Sequence, residues 1–383
     1  MLLQVVPSLP PRVDGIGDYA LRLALALRER HGVETIFLAA DTGWREAGGL
    51  EGFRGIAVSA HTPEALLAAL AQCEQMALAM GDGALEVLVH VSPYGYEKRG
   101  VPTWFVEGWE RFAARQAAKQ GGSSDGRGRI HSCFHELERT GAPVWSSGFW
   151  VPPLQRRLLV RMARLSRVRY TNTEGHRQRL ESWGAGRTDL IPNFSTMPEP
   201  RVLEDTPRRR ELVVFARQSH RRLTYTQGGR TLQALCQRIG IERIVDIGTP
   251  IADLDLAAIT GVPVTVCGHL PPEQVLAAMQ QALGTFVWYP AIYLTKSSVH
   301  AVASSCGAVT FLYDDSPEEH SCPGLEPGLD FVPITADADG FDPAAFTTAA
   351  LAPLHAAIHR SYLARASWAA ADRLAQQIFG GSA

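Results

Sequence analysis

A glycine loop, histidines at strand ends and a basic run are the parts of this sequence best able to do chemistry. Asp14-Gly15-Ile16-Gly17-Asp18-Tyr19-Ala20 holds a GxGxxA pattern ahead of a leucine-rich helix, and Asp41 follows the next strand where a dinucleotide's ribose would be held. Two features weigh against a nicotinamide site. Residues 7–14 separate the strand from the first glycine, whereas a dinucleotide turn sets its glycines at the strand end; Asp18 also brings negative charge to helix amides that would face phosphate. The alternatives are a plain glycine-rich connection or a loop whose amides line a cleft.

Another strand runs into Phe134-His135-Glu136. A histidine there can orient a hydroxyl or shuttle a proton, because imidazole titrates near neutrality; the plain alternative is a structural histidine. His90 ends a strand in a similar place. Further on, Arg217-Gln218-Ser219-His220-Arg221-Arg222 presents permanently charged forks suited to an anion, or else an exposed basic turn of the kind Arg208-Arg209-Arg210 suggests. Asp314-Asp315 reads as a cap or solvated pair rather than a metal-binding one. Cys73, Cys133, Cys236, Cys267, Cys306 and Cys322 form no CxxC pair, so neither a zinc finger nor a disulfide framework is expected, and a reducing cytoplasm is the simplest compartment. The start, MLLQVVPSLPP, reads as a strand entering a loop rather than a signal peptide.

These residues need a scaffold, and short β-branched runs alternating with helical patterns supply an α/β one. Strands are expected at 2–6, 34–39, 86–91, 129–133 and 167–172 in the first half, and at 211–216, 242–247, 263–266, 285–289 and 308–313 in the second. Thr62-Pro63-Glu64 opens a helix with Leu66, Leu70, Cys73 and Ala77 on one face; Pro271-Pro272-Glu273 opens another. The uncharged run 274–295 contains Gln280, Gln281, Gly284 and Pro290, and reads as a helix and a buried strand rather than a membrane span.

The 383 residues are enough for two or three domains at about 150 residues each. With 37 Lys and Arg against 39 Asp and Glu, no broad basic surface exists for nucleic acid, so any anion site is local. The proline-rich stretch 195–210 reads as a linker, and 119–129, nearly all Gly, Ser and charge, as a surface loop. One long amphipathic helix is expected over 354–379. Two Rossmann-like domains facing across a cleft would place the active site between them.

The sequence resembles the retaining sugar-nucleotide glycosyltransferases of the GT-B fold, the "group 1" superfamily. The resemblance covers nearly the whole chain. It rests on Gly15-Ile16-Gly17-Asp18-Tyr19-Ala20, on Phe134-His135-Glu136 with Gly141-Ala142-Pro143-Val144-Trp145, on Tyr170-Thr171-Asn172-Thr173-Glu174, on Leu190-Ile191-Pro192-Asn193-Phe194-Ser195, and on Leu212-Val213-Val214-Phe215-Ala216-Arg217. It implies an acceptor domain over 1–195, a linker over 196–210, a nucleotide-sugar domain over 211–353 and a final segment, 354–383, packed back on the first domain. Arg217 and Arg222 match the positions where the family carries arginine and then lysine for the donor diphosphate, with Arg221 a substitute if the loop differs by one residue. The resemblance further implies His135 positioning the reacting groups, Gly15 and Gly17 shaping the cleft, and no metal or cofactor besides the nucleoside-diphosphate sugar, which is the donor substrate.

One departure bears on activity. The family carries two glutamates before a glycine that precedes a strand; counting back from Gly307, Leu294 and Val302 stand there. Valine cannot accept a bond from ribose. Lys296-Ser297-Ser298, a lysine beside helix N-terminal amides, offers a replacement anion site. The expected activity is transfer of a hexose-type sugar to a hydroxyl on a saccharide or lipid-linked acceptor. The alternatives are a catalytically silent GT-B protein acting as a binding or scaffold partner, and an NAD-dependent oxidoreductase. No nucleic-acid partner is expected. The arginines of 154–169 form either a solvated face or a peripheral contact with anionic membrane. Trp145, Trp150, Tyr94 and Tyr96 are candidates for stacking on sugar rings, or for core.

Overall fold

The computed structural model describes residues 1–12, 14–45, 50–82, 85–119, 129–139, 147–203, 207–315, 322–335 and 343–380. The segments 141–145 and 120–128, read above as part of the family resemblance and as a surface loop, lie outside the described residues. The chain divides into two units, Met1–Pro192 with Ser367–Ala383, and Asn193–Ala366.

The first unit is built on seven strands, β1 (Leu2–Val6), β2 (Thr35–Ala39), β3 (Arg54–Ala57), β4 (Glu86–Val91), β5 (Ile130–Phe134), β6 (Val168–Thr171) and β7 (Asp189–Leu190). They form one parallel sheet in the order β3-β2-β1-β4-β5-β6-β7. Helices cover both faces, which is why β1 and β2 are buried at every position. Leu3 and Val5 pack with Leu66, Leu70 and Trp109 on one side, and Val6 with Ala20 and Ala24 on the other.

The second unit holds β8 (Arg209–Phe215), β9 (Arg243–Ile247), β10 (Val264–Gly268), β11 (Ala282–Trp288), β12 (Val309–Tyr313) and β13 (Val332–Ile334), parallel in the order β10-β9-β8-β11-β12-β13. Alternate residues of β8 again face two cores: Leu212 and Val214 meet Leu232 and Phe286, while Val213 meets Met279 and Val302. In each sheet the strand order reverses once, between β1 and β4 and between β8 and β11, and the C-terminal ends beside such a reversal are where open α/β sheets bind ligands.

All ten expected strands are present, and the helix Pro272–Gln281 runs into β11 as the pattern of 274–295 predicts. Among the described residues no helix is long and apolar enough to cross a membrane. Three expectations need correction. The tail is two helices, Thr348–Leu363 and Ser367–Phe379, broken where Arg365 turns inward to bond Asp330 at 2.8 Å. Only the second belongs to the first unit, where Asp372 accepts from Arg30 at 2.7 Å and Arg373 donates to the Leu190 carbonyl at 2.9 Å. The stretch after Pro192 is not a free linker: the Ser195 amide donates to the Tyr362 hydroxyl at 2.8 Å, inside the second unit. Nor is Arg208-Arg209-Arg210 an exposed basic run. Arg208 donates to the carbonyls of Met279, Ala282 and Cys306, and burial lowers its pKa to about 10. Arg210 caps the end of the helix Gly229–Ile239 through the Gly240 and Ile239 carbonyls.

Candidate functional site

Two clusters of predicted residues lie at the strand-order reversals, one in each unit. In the first, β4 and β5 pair in parallel with His90 opposite Cys133, and His135 follows two residues later on the same face. His90 is fully buried and His135 is 4% exposed. Their imidazoles bond directly, His90 Nδ1 to His135 Nε2 at 2.9 Å, with the rings stacked at 22°. On its other side, His90 Nε2 lies 2.8 Å from Oε1 of Gln4, the one polar residue of β1, whose amide nitrogen donates to the Ala20 carbonyl at 3.1 Å. Tyr19 stands edge-on to both rings. Burial first, and then the neighbouring His135, push the pKa of His90 well below the ordinary histidine value.

Glu136, next in sequence, reaches toward β4. Its Oε2 accepts from Ser92 Oγ at 2.7 Å. Sequence alone presents His90 and His135 as separate strand-end residues; their contact emerges only in the fold. The available signal was their period: a histidine ending one strand and a Cys-Phe-His run ending its parallel neighbour point to one face.

His90, Cys133 and His135 also bring possible metal-ligand atoms within 4.8 Å of one another. Their chemistry does not fit an ion well. His90 Nδ1 and His135 Nε2 are taken up by the bond between the rings, His90 Nε2 faces Gln4, and burial pushes the Cys133 thiol up to about 12, holding its proton.

The glycine loop leaves β1 over the same edge. Asp14 caps the helix Gly15–His31, accepting from the Ile16 amide. Gly17 is required for packing, since a Cβ there would sit 2.3 Å from the Ser8 carbonyl oxygen; Gly15 is exposed with open space around it. Beside this loop is a cavity of about 320 Å³ lined by Ser8, Arg12, Asp14, Asp41, Thr42 and His61, among others. Asp41, the residue a dinucleotide ribose would need, accepts from Arg12 at 2.5 Å, from Ser8 at 3.3 Å and from the Gly43 amide at 3.0 Å.

In the second unit, β8 ends at Phe215 and Arg217 stands exposed at the N-cap of the helix Gln218–Thr226. Arg222, one turn on, is exposed and paired with Asp253. Arg221 is a correction. It faces the interior, fully buried, and its fork meets Asp246 of β9 at 3.0 and 2.7 Å, so it presents no guanidinium to a ligand. The helix turns it inward because Tyr225, one turn later on the same face, also bonds Asp246, at 2.8 Å.

Across the reversal, the segment after β11 is the short 3₁₀ helix Ala291–Lys296, fixed at its start by Asp314, which accepts from the Ala291 amide at 2.7 Å. That is the capping role expected of this acid. Ser297 caps the helix Ser298–Ser305 by accepting from the His300 amide at 3.2 Å, and Asn193 holds the turn by donating to the Lys296 carbonyl at 2.7 Å. Leu294 and Val302 are 0% and 1% exposed and belong to the cores, so neither position offers a polar group. The fold therefore brings Arg217 and the Lys296-Ser297-Ser298 turn to the same C-terminal edge of one sheet, on loops from adjacent strands.

No family model matches the sequence, and no curated protein is similar to it. Solved structures share its fold. A glycosyltransferase from Rickettsia africae ESF-5 superposes with a TM-score of 0.57 at 10% identity, covering 100% of this chain and 99% of that one. An α,α-trehalose-phosphate synthase (UDP-forming) from Burkholderia xenovorans, in complex with glucose-6-phosphate, gives 0.56 at 13% identity over 98% and 99%. A protein assigned as a UDP-N-acetylglucosamine 2-epimerase from Listeria monocytogenes gives 0.54 at 13% identity over 99% and 96%. The chain thus has the two-domain α/β fold of GT-B glycosyltransferases over its full length.

Proposed function

We propose that this protein is a glycosyltransferase that moves a sugar from a nucleoside-diphosphate sugar to a hydroxyl acceptor with retention of configuration, without a metal. The observation that carries this is the second-unit edge just described: Arg217 at one helix start and Lys296 beside another, on the strands that flank the reversal. As the glycosidic bond breaks, negative charge grows on the departing diphosphate. A guanidinium, an ammonium and helix N-terminal amides stabilise that charge more than they stabilise the bound donor. With the leaving phosphate itself taking the acceptor's proton, no protein base is required, and His135 serves to position the sugar. Arg222 adds charge if it exchanges Asp253 for phosphate.

The acceptor is a saccharide, free or lipid-linked. The exposed Phe149, Trp150 and Leu154 near Arg156 and Arg157 favour the lipid-linked form and a position at a membrane surface. All six cysteines are free thiols, in keeping with a cytoplasmic setting. A second reading, a catalytically silent protein of this fold, draws on the apolar burial of Leu294 and Val302. The engagement of Asp41 by Arg12 disfavours an oxidoreductase.

Thermal shift against UDP, GDP, ADP and NAD tests the reading. Stabilisation by one of the diphosphates, lost in Arg217→Ala, is expected; no shift with any nucleotide would favour the silent protein, and a shift with NAD alone the oxidoreductase.

A further inference from the structure

The cavity beside the glycine loop lies within the first unit, at the C-terminal ends of β1 and β2, and its walls are pinned from behind. The Arg12 amide donates to the Leu9 carbonyl at 3.1 Å and Trp44 Nε1 to the Pro10 carbonyl at 2.9 Å, which fixes the loop after β1. His61 is stacked on Trp104, at 4.8 Å and 7°, and its Nε2 lies 3.0 Å from the Ala40 carbonyl. A carbonyl only accepts, so that nitrogen donates. Asp41 is anchored by Ser8 and the Gly43 amide as well as by Arg12. Burial opposes its ionisation, but these bonds outweigh it and hold its carboxyl below the usual range.

Charge and hydrogen-bonding type then select the occupant. Among the described residues that line the cavity, Arg12 is the one permanent cation, set against the carboxylates of Asp14 and Asp41. Its fork cannot be handed to an anion as that of Arg222 can, because Asp41, held by Ser8 and Gly43, would stay behind beside the incoming charge. A phosphate ester only accepts and leaves both carboxylates unmatched; an ammonium only donates and is opposed by Arg12. A ring of hydroxyls does both. It can give hydrogen to Asp41 and receive it from the guanidinium, which is 67% exposed and engages Asp41 through Nη1 alone, while Thr42 Oγ1 can do either. The volume, about 320 Å³, stands at the low end of the roughly 300–1,000 Å³ of small-molecule sites and suits a single sugar better than a dinucleotide.

We infer that this cavity is a binding site for an uncharged saccharide, contacted by Arg12, Asp41, Thr42 and His61, and that it rejects the phosphorylated form of the same sugar. That the occupant is the accepting sugar rests on the transferase reading above; the binding does not.

The experiment is a saturation-transfer NMR titration of the full-length protein at pH 7.5 with glucose, galactose, mannose and N-acetylglucosamine, and with their 6-phosphates. At least one uncharged sugar is expected to bind about tenfold more tightly than its 6-phosphate. It is also expected to shift the His61 imidazole resonances, assigned by their loss in His61→Gln. Arg12→Ala is expected to weaken that binding about tenfold. Asp41→Asn keeps an acceptor for the Gly43 amide and removes the charge, so the 6-phosphate is expected to gain about tenfold relative to the sugar, with the backbone amide spectrum reporting that the fold is retained. Binding by none of the four sugars, a 6-phosphate that binds as tightly as its sugar, an unmoved His61, or an unchanged preference in Asp41→Asn overturns the assignment. If a sugar binds here and no nucleoside diphosphate binds the protein, the transferase reading fails and the site stands; if a nucleoside diphosphate binds and no sugar does, the site fails and the transferase reading stands.

Discussion

Arg221 and Asp246 meet side-on inside the second unit, with Nε to Oδ2 at 3.0 Å and Nη2 to Oδ1 at 2.7 Å, and neither side chain reaches solvent. The pair ties the first helix after β8 to β9. Gly248, at φ 132°, leaves room for the guanidinium, since a Cβ there would fall 2.3 Å from Nη1. Removing one member of a buried pair leaves the other charged and desolvated. Arg221→Ala is therefore expected to cost about 3–5 kcal/mol, read as a lower midpoint in urea denaturation. Arg222→Ala, next in sequence but exposed with its partner Asp253, leaves the midpoint where it is. Equal losses in the two variants would show that the buried pair carries no special weight.

Under the proposed transferase function, the neighbouring Arg217 matters to binding rather than to stability. Arg217→Ala is expected to weaken nucleoside-diphosphate binding by about 1.5–3 kcal/mol, roughly ten- to a hundredfold, because it removes a charged hydrogen bond to phosphate, while the urea midpoint holds. Calorimetric titration of wild type and variant with the diphosphate that gives the largest thermal shift checks this. Unchanged affinity would remove Arg217 from the site.

The neighbouring arginines also show how far the sequence could be read. Alternation of apolar runs was enough for ten strands, because strands buried on both faces leave an uninterrupted apolar signature. It was not enough for β3, β7 and β13. These are edge strands of four, two and three residues, and Gly55 or Pro333 interrupts two of them. The family resemblance brought Arg217 and Arg222 forward, with Arg221 as a substitute, but which of three nearby arginines turns inward is decided by partners on other elements, here Asp246 and Thr249. For the same reason 208–210 looked like a solvated run when Arg208 was bound to three distant carbonyls. His135 was legible as a strand-end residue. Its bond to His90 depends on strand register, which one-dimensional pattern does not supply.

Gly15 and Gly17 look equivalent in the motif and are not equivalent in the fold. At Gly17 the added methyl of alanine would press on the Ser8 carbonyl at 2.3 Å, and backbone cannot step aside as a flexible side chain would. Gly17→Ala is expected to destabilise by about 1–3 kcal/mol. Gly15→Ala, in the helix's first turn with open space around it, is expected to be neutral or to stabilise by up to about 1 kcal/mol through lost freedom of the unfolded chain. Urea denaturation of the two variants decides the matter, and a Gly17→Ala protein as stable as wild type would mean that the loop yields.

Two buried histidines of the second unit give its stability a defined dependence on acid. Burial, and then Arg365, lower His300 from 6.5 to about 3; burial, and then Arg208, lower His355 to about 4 against a smaller upward pull from its bond to the Gly307 carbonyl. Both are neutral in the folded protein at pH 5, whereas in the unfolded chain they take up protons as pH falls through about 6.5. Through these two groups the unfolded state binds up to about two more protons than the folded state near pH 5, so their contribution to stability rises with pH there and levels off above about pH 7. Each such proton contributes about 1.4 kcal/mol per pH unit. His355→Asn keeps an N–H for the Gly307 carbonyl and cannot titrate. Its urea midpoint is expected to fall less steeply than that of wild type between pH 6.5 and pH 5, by about one proton's share of the slope. A variant with the wild-type slope would show that His355 is already protonated in the folded protein, or that it titrates alike in both states.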